Sequence, residues 1–426
     1  MKTIQSPQNN TDDISTALNR SAGVPACPVE IERTLAQPAG GDACAPKGRR
    51  SSGIYIHIPF CKSRCSYCDF ATGIYQSEVA DRYVEALLRD IQITRHRQPT
   101  TPIDTIYLGG GTPSMLAPRQ IERVLDTVHT NFDVVSPVEI TLEINPGSVT
   151  PAGLRDFRRA GINRASFGAQ TFSDAELARL GRAHDSTDTL NTFAALRETG
   201  FENISFDLIA GLPGQTMATW EANVEKSLAL QPEHLSFYLL EVHSGTPLAQ
   251  HIERGIQPKP DDDLAGEMYE VMLERATRAG YEHYEISNLC RAGFESRHNT
   301  KYWTGSPYFG FGCSSHSYDG VNHRWSNERD VAKYVELIER GESPVVEQSE
   351  LGPEDLRAEA VFLGMRLMNG LNMREYEQLF GVNILEEHRE DFNDFAEAGL
   401  VEFDGELVRL TRAGALMSNE VFAKFI

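Results

Sequence analysis

The stretch Ile54-Tyr55-Ile56-His57-Ile58-Pro59-Phe60-Cys61-Lys62-Ser63-Arg64-Cys65-Ser66-Tyr67-Cys68 decides how the chain is read. Its first five residues form a β-rich run. Just past the end of that strand, a loop carries three cysteines at the spacing C-x3-C-x2-C and can wrap three thiolates around one small object. A structural zinc site needs four ligands, so zinc would require His57, Cys290 or Cys313 to arrive from elsewhere in the chain. An electron-transfer iron–sulfur cluster also needs four thiolates. Three thiolates on a four-iron cube leave one iron with an open position, which is what a substrate-binding metal centre requires.

Working outward, five further β-rich runs follow, at Thr105–Leu108, Glu139–Ile144, Ala165–Phe167, Ile204–Ile209 and Leu235–Leu240. Between them lie helical patterns such as Tyr83, Val84, Leu87, Leu88 and Ile91, and Ile121, Val124, Leu125 and Val128. Alternating strands and helices predict an α/β fold with a parallel sheet covered by helices. Periodicity does not separate a partial barrel from an open doubly wound sheet, but both place ligands at the carboxyl ends of the strands. After Pro247 the pattern becomes irregular and aromatic-rich through Trp325. From about Val346 helices precede a hairpin at Leu400–Leu410 that turns near Asp404-Gly405, a winged-helix-like α+β appendage. The expected organisation is a leader at 1–50, a core at 51–250, an extension at 251–345 and a C-terminal domain at 346–426.

Residues 1–50 hold no Phe, Tyr or Trp and five prolines, and so predict disorder. Asp12, Asp13, Glu30, Glu32 and Asp42 argue against a transit peptide there, and Cys27 and Cys44 read as incidental thiols. The chain carries 40 basic and 61 acidic residues, a formal charge of −21, which makes a duplex or a phospholipid surface a poor partner. A winged helix invites a DNA-binding reading. The segment from Val346 nevertheless holds 7 Lys or Arg against 17 Asp or Glu, which would repel phosphate. The absence of a spanning apolar run or a signal-peptide pattern, with seven cysteines of which three are clustered, leads to the expectation of a cytoplasmic, reducing location.

The cysteine spacing resembles that of the radical S-adenosylmethionine enzymes. Tyr55-Ile-His57-Ile-Pro-Phe60-Cys61 is similar to the entry of the cluster loop in their oxygen-independent coproporphyrinogen oxidase branch. The resemblance implies a partial (βα)6 barrel, a [4Fe-4S] cluster on Cys61, Cys65 and Cys68, an electron donor for it, and bound S-adenosylmethionine. Tyr55 and Tyr67 are implied cofactor contacts, and the run Gly109-Gly110-Gly111-Thr112-Pro113 is implied to hold the cofactor's amino acid end. That run lacks the Lys-Ser/Thr of a phosphate loop and the spacing of a dinucleotide fold. Glu143, Gln170 and Asp207 stand on or just after successive strands and can converge on the ligand-bearing side of a parallel sheet. By resemblance these three, with Arg182, match S-adenosylmethionine-binding positions.

One departure matters. The oxidases carry a fourth cysteine two residues after the third, and this chain has Phe70 there. Cys68-Asp69-Phe70 resembles the related haem chaperones instead, and His298-Asn299-Thr300-Lys301-Tyr302-Trp303 matches the H-N-x-x-Y-W motif associated with haem in them. Imidazole ligates haem iron, and Tyr and Trp offer flat apolar faces to a porphyrin. Cys313 and His316 are two further candidate axial ligands. The resemblance therefore implies haem as cargo, delivered to acceptor haemoproteins. A radical enzyme acting on a porphyrin and a structural zinc protein are the alternatives.

Overall fold

The computed structural model describes residues 51–94 and 101–425. The leader at 1–50, with Cys27 and Cys44, lies outside the described residues. The core begins with β1 (Ser52–Ile58), β2 (Ile103–Gly110), β3 (Val134–Ile144), β4 (Arg164–Gln170), β5 (Ile204–Ala210) and β6 (His234–Leu239), all joined in parallel. Between and after them run α1 (Ser77–Ile93), α2 (Pro118–Asn131), α3 (Pro151–Arg159), α4 (Asp174–Arg179), α5 (Ser186–Glu198), α6 (Met217–Leu230), α7 (Pro247–Glu253), α8 (Asp262–Arg278) and α9 (Arg297–Trp303). The periodic apolar residues of α1 and α2 are the ones they bury, including Tyr83, Leu87 and Ile91, and Ile121, Val124 and Val128.

The residues after Pro247, which predict irregular structure, instead contribute six strands to the same sheet. β7 (Glu282–Glu285) and β8 (Asn288–Cys290) add antiparallel beyond β6, while β9 (Tyr308–Phe311) joins β1 in parallel. β10 (His316–Tyr318), β11 (His323–Asn327) and β12 (Val345–Glu350) continue antiparallel from β9. Such runs of three to six residues are too short to show a period of their own; an existing sheet edge recruits them through backbone hydrogen bonds. The sheet order is β12-β11-β10-β9-β1-β2-β3-β4-β5-β6-β8-β7, so it is open. The parallel strands follow one another without reversal, which excludes the doubly wound alternative, whose strand order reverses at a switch point.

Strand alternation divides the sheet into two chemically different faces. The outer face carries Ile54, Ile56, Ile106, Leu108, Leu142, Phe167, Phe206 and Leu235, each at most 1% exposed. The inner face carries Tyr55, His57, Thr105, Tyr107, Thr141, Glu143, Arg164, Asp207, Ser236 and Tyr238. The apolar face drives the helices onto the sheet, and the polar face is left for chemistry.

From Asn372 onward the described residues form a second compact unit. Helices at Met373–Phe380, Ile384–Glu387 and Arg389–Glu397 precede the hairpin β13 (Val401–Asp404) and β14 (Leu407–Leu410), with Gly405 at positive φ in its turn. Phe392, Val408, Val421 and Phe422 are its buried core. No helix among the described residues is long and apolar enough to cross a membrane.

Candidate functional site

The cysteine loop is tied to the carboxyl ends of the strands by a small polar network. Arg182 stands at its centre: one guanidinium nitrogen donates to Cys65 Sγ at 3.5 Å and to Tyr67 Oη at 3.5 Å. The other donates to Asn145 Oδ1 at 2.9 Å and to the Gly168 carbonyl at 2.8 Å. Asn145 in turn donates to Thr112 Oγ1 at 2.6 Å, and Thr112 donates to Cys61 Sγ at 3.7 Å. The loop backbone adds Ser66 N–H to the Leu180 carbonyl at 2.9 Å. A cleft opens beside it, lined by Lys62, Cys65, Thr112, Asn145, Arg182 and Asp188 among others.

Burial raises Cys61 and Cys68 above the ordinary thiol value, and the neighbouring thiols add to it. Among the described residues, no three His, Cys, Asp or Glu side chains close on a single metal ion. With Zn–S near 2.3 Å, tetrahedral zinc would need its sulfurs roughly 3.8 Å apart. The remote ligands that zinc would need are engaged elsewhere. His57 bonds Tyr55 Oη and the Ala71 carbonyl, Cys313 accepts from Tyr83, and Cys290 is buried in β8. The donor set therefore does not fit a single zinc ion. Three soft thiolates on one loop, with Arg182 beside one of them, fit a larger anionic cluster.

Glu143 faces inward near the end of β3. It accepts from Tyr107 Oη at 2.8 Å and from the Gly110 N–H at 3.0 Å. Burial raises its carboxyl to about 7, against the opposing pull of the Tyr107 hydrogen bond. Asp207 is raised too, again mainly by burial, although Ser236 and Ser166 hydroxyls stabilise its charge. Gln170 closes β4 at φ 65°, a left-handed conformation for a non-glycine residue, and its buried Oε1 has no partner. A Cβ on Gly168 would lie 2.5 Å from the Gln170 amide nitrogen, so Gly168 makes room for that side chain. A strained residue with an orphan acceptor and two carboxylates whose charge is disfavoured make a set suited to a cationic ligand. The glycine run serves packing as well: a Cβ on Gly110 would meet the His57 ring at 2.6 Å, and one on Gly111 the Phe60 carbonyl oxygen at 2.9 Å. Tyr55 stacks with Tyr107, ring centres 6.1 Å apart.

The His298–Trp303 motif lies on α9, at the opposite, amino-terminal ends of the strands. Lys301 pairs with Asp104 at 2.7 Å and donates to the Ser51 carbonyl at 3.0 Å, Arg297 pairs with Asp104 at 2.9 Å, and Glu139 accepts the His298 N–H at 3.1 Å. His298 points inward and is 1% exposed. Its Nδ1 bonds Thr105 Oγ1 at 2.9 Å, its Nε2 bonds Tyr302 Oη at 3.0 Å, and it stacks on Tyr107 at 5.2 Å. Burial, with Lys301 nearby, lowers its pKa to about 3, so the ring is neutral at pH 7. Asn299 and Tyr302 are half-buried. The Arg366 guanidinium covers the Trp303 ring at 4.3 Å, while Trp303 Nε1 is buried without an acceptor. The motif and the cysteine loop are thus not brought together at one end of the sheet.

Sequence reasoning missed Asn145, which carries no motif and follows Glu143 at a strand exit; His57, named there only as a remote zinc ligand and within the loop-entry run, alternates with Tyr55 on the inner face. That reasoning missed Arg164 as well.

Residues 55–226 match the Radical SAM superfamily, and residues 351–417 match the HemN C-terminal domain. The chain is 37% identical over 373 residues to the heme chaperone HemW of Bacillus subtilis (strain 168), a match covering 87% of this chain and 98% of that protein. It is 33% identical over 379 residues to the heme chaperone HemW of Lactococcus lactis subsp. lactis (strain IL1403), covering 89% and 98%. The fold is that of coproporphyrinogen III oxidase (HemN) from Escherichia coli, at TM-score 0.78 and 23% identity over 88% of this chain and 90% of that one. The chain belongs to the radical SAM superfamily, and within it to the family of these HemW proteins.

Proposed function

We propose that this chain is a haem chaperone: it binds haem as cargo and hands it to acceptor haemoproteins, while carrying a [4Fe-4S] cluster and S-adenosylmethionine. The match to proteins named heme chaperone along nearly their whole length carries this reading. Phe70 adds to it, because the position that would hold the oxidase's fourth cysteine presents a phenyl ring 62% exposed.

Cys61, Cys65 and Cys68 would hold the cluster, which when bound supplies one-electron chemistry to the S-adenosylmethionine beside it. The chain's own residues do the rest. Arg182 lies against Cys65, where a guanidinium stabilises thiolate charge and fixes the loop's distance from β4. Glu143 and Asp207 offer carboxylates to a cationic ammonium or sulfonium, and binding such a ligand restores the charged form that burial disfavours. Gln170 offers its free Oε1, and Gly110, Gly111 and Thr112 line the approach. Tyr55 and Tyr67 add aromatic walls. Haem contact at His298, Asn299, Tyr302 and Trp303 requires the Tyr302 hydroxyl to release His298 Nε2 before that nitrogen can bind iron. An electron donor for the cluster and a cytoplasmic setting belong to the same proposal.

The complete set Glu143, Gln170, Arg182 and Asp207 favours one second reading, a radical enzyme acting on a porphyrin. Haem titration of the anaerobically reconstituted chain, beside an assay for protoporphyrinogen formation, separates the two. Saturable haem binding without turnover is expected; turnover, or no saturable Soret change, overturns the chaperone reading.

A further inference from the structure

Arg164 is the one large charged side chain that the inner face buries completely, at 2% exposure in the middle of β4. Among the described residues its guanidinium has neither a hydrogen bond nor an ion pair, and its Nε is buried without an acceptor. The carboxylates that sense its charge are committed elsewhere: Glu143 to Tyr107 and Gly110, Asp207 to Ser166 and Ser236. On the neighbouring strand its register partner is Thr141, also fully buried, whose Oγ1 likewise has no partner. Two donors on adjacent strands therefore face inward with nothing to accept from them. An unpaired buried guanidinium costs several kcal/mol, and a carboxylate is the group whose planar pair of oxygens matches the guanidinium fork.

We propose that Arg164 and Thr141 form an anchor for a carboxylate of the haem cargo, one of the porphyrin's propionates. The inference rests on the haem-binding reading above and names the part of haem the inner face recognises. The surroundings suit a porphyrin edge. The charge of Arg164 reaches both Tyr107 and His298, which stack on each other, and Tyr238 further along the inner face keeps 44% of its surface exposed. S-adenosylmethionine also carries a carboxylate, so the test must distinguish the two sources.

The full-length, anaerobically reconstituted chain is titrated with haem, with haem dimethyl ester and with S-adenosylmethionine, as wild type, Arg164→Gln, Arg164→Lys and Thr141→Val. Wild type is expected to bind haem at least about tenfold more tightly than the ester, the scale of a charge-assisted hydrogen bond in a buried site. Arg164→Gln should remove that preference by weakening haem and not the ester, Arg164→Lys should keep part of it, and Thr141→Val should lose a few-fold. S-adenosylmethionine affinity should not move in Thr141→Val, and in Arg164→Gln, whose lost charge also disfavours ionised Glu143 and Asp207, it should fall by less than haem affinity. Arg164→Gln should also melt no lower than wild type in the absence of haem, because no native ion pair is broken. If wild type binds haem and ester equally, or Arg164→Gln weakens both alike, or only S-adenosylmethionine binding falls, the anchor is wrong while haem binding stands. An Arg164→Gln chain that fails to fold would mean Glu143 and Asp207 already balance the charge, which also overturns it. If wild type binds neither porphyrin, the haem-binding reading itself fails and takes this inference with it.

Discussion

Replacing Glu143 by Gln keeps the side chain's length and one carbonyl-type acceptor while removing its charge, and it tests the cofactor site at a residue remote from the thiols. In the folded chain burial raises this carboxyl to about 7 from an ordinary 4.5. The sign follows from linkage. Below about pH 4 the carboxyl is protonated in both folded and unfolded chains and carries no penalty. As pH rises through 7 the folded chain must hold a disfavoured charge, at a cost of at most about 3 kcal/mol, less where water reaches the inner face. Glu143→Gln removes that cost, so the ligand-free variant should melt higher than wild type at pH 8 and no differently near pH 4. A cationic ligand reverses the balance. Only ionised Glu143 attracts it strongly, and the ionised fraction rises about tenfold between pH 6 and pH 8 for a group at about 7. Isothermal titration of the reconstituted chain should show S-adenosylmethionine affinity rising several-fold over that window in wild type. In Glu143→Gln it should be weaker by about 10- to 100-fold at pH 8, the worth of a charged hydrogen bond, with a flat pH profile. A variant with wild-type affinity and the same slope would refute the placement of Glu143 on the cofactor.

Anaerobic reconstitution should load about four irons per chain, the number in one cube; Cys65→Ala should abolish this by iron analysis, and one tightly held zinc in place of iron would sink the cluster. Arg182→Ala leaves the thiols in place but removes the cation beside Cys65 and the link to Asn145, so the cluster should form yet be lost several-fold faster on dilution; an unchanged loss rate would count against a holding role. Tyr302→Phe frees His298 Nε2 while keeping the ring, so if His298 binds iron the variant should take up haem faster than wild type in stopped-flow Soret measurements, and His298→Ala should shift the band. Equal rates and an unshifted band would exclude His298 as the ligand.

The cysteine triad, the glycine run and the six parallel strands were legible in the chain because each depends on neighbours in sequence: a thiolate loop on fixed spacing, a strand on alternation, a helix on apolar residues three and four apart. Spacing along successive strands also anticipated that Glu143 and Asp207 face one side of the sheet, because parallel strands repeat the same direction. What only the tertiary structure decided depends on partners far away in sequence. Six short runs between 282 and 350 became strands because β1 and β6 offered them edges, and the consecutive strand order settled a choice that periodicity leaves open. His298 reads as a candidate iron ligand in its motif, yet Thr105 and Tyr302 take both of its nitrogens and seal it among the strands' amino-terminal ends. Arg164 carries no role in the sequence reading, where it is only one member of the run Gly161–Gln170 that resembles the family's flanking segment. Its meaning comes from burial beside Thr141 without an acceptor, and burial is a property of the assembled sheet, where the loss of water makes an unpaired charge expensive.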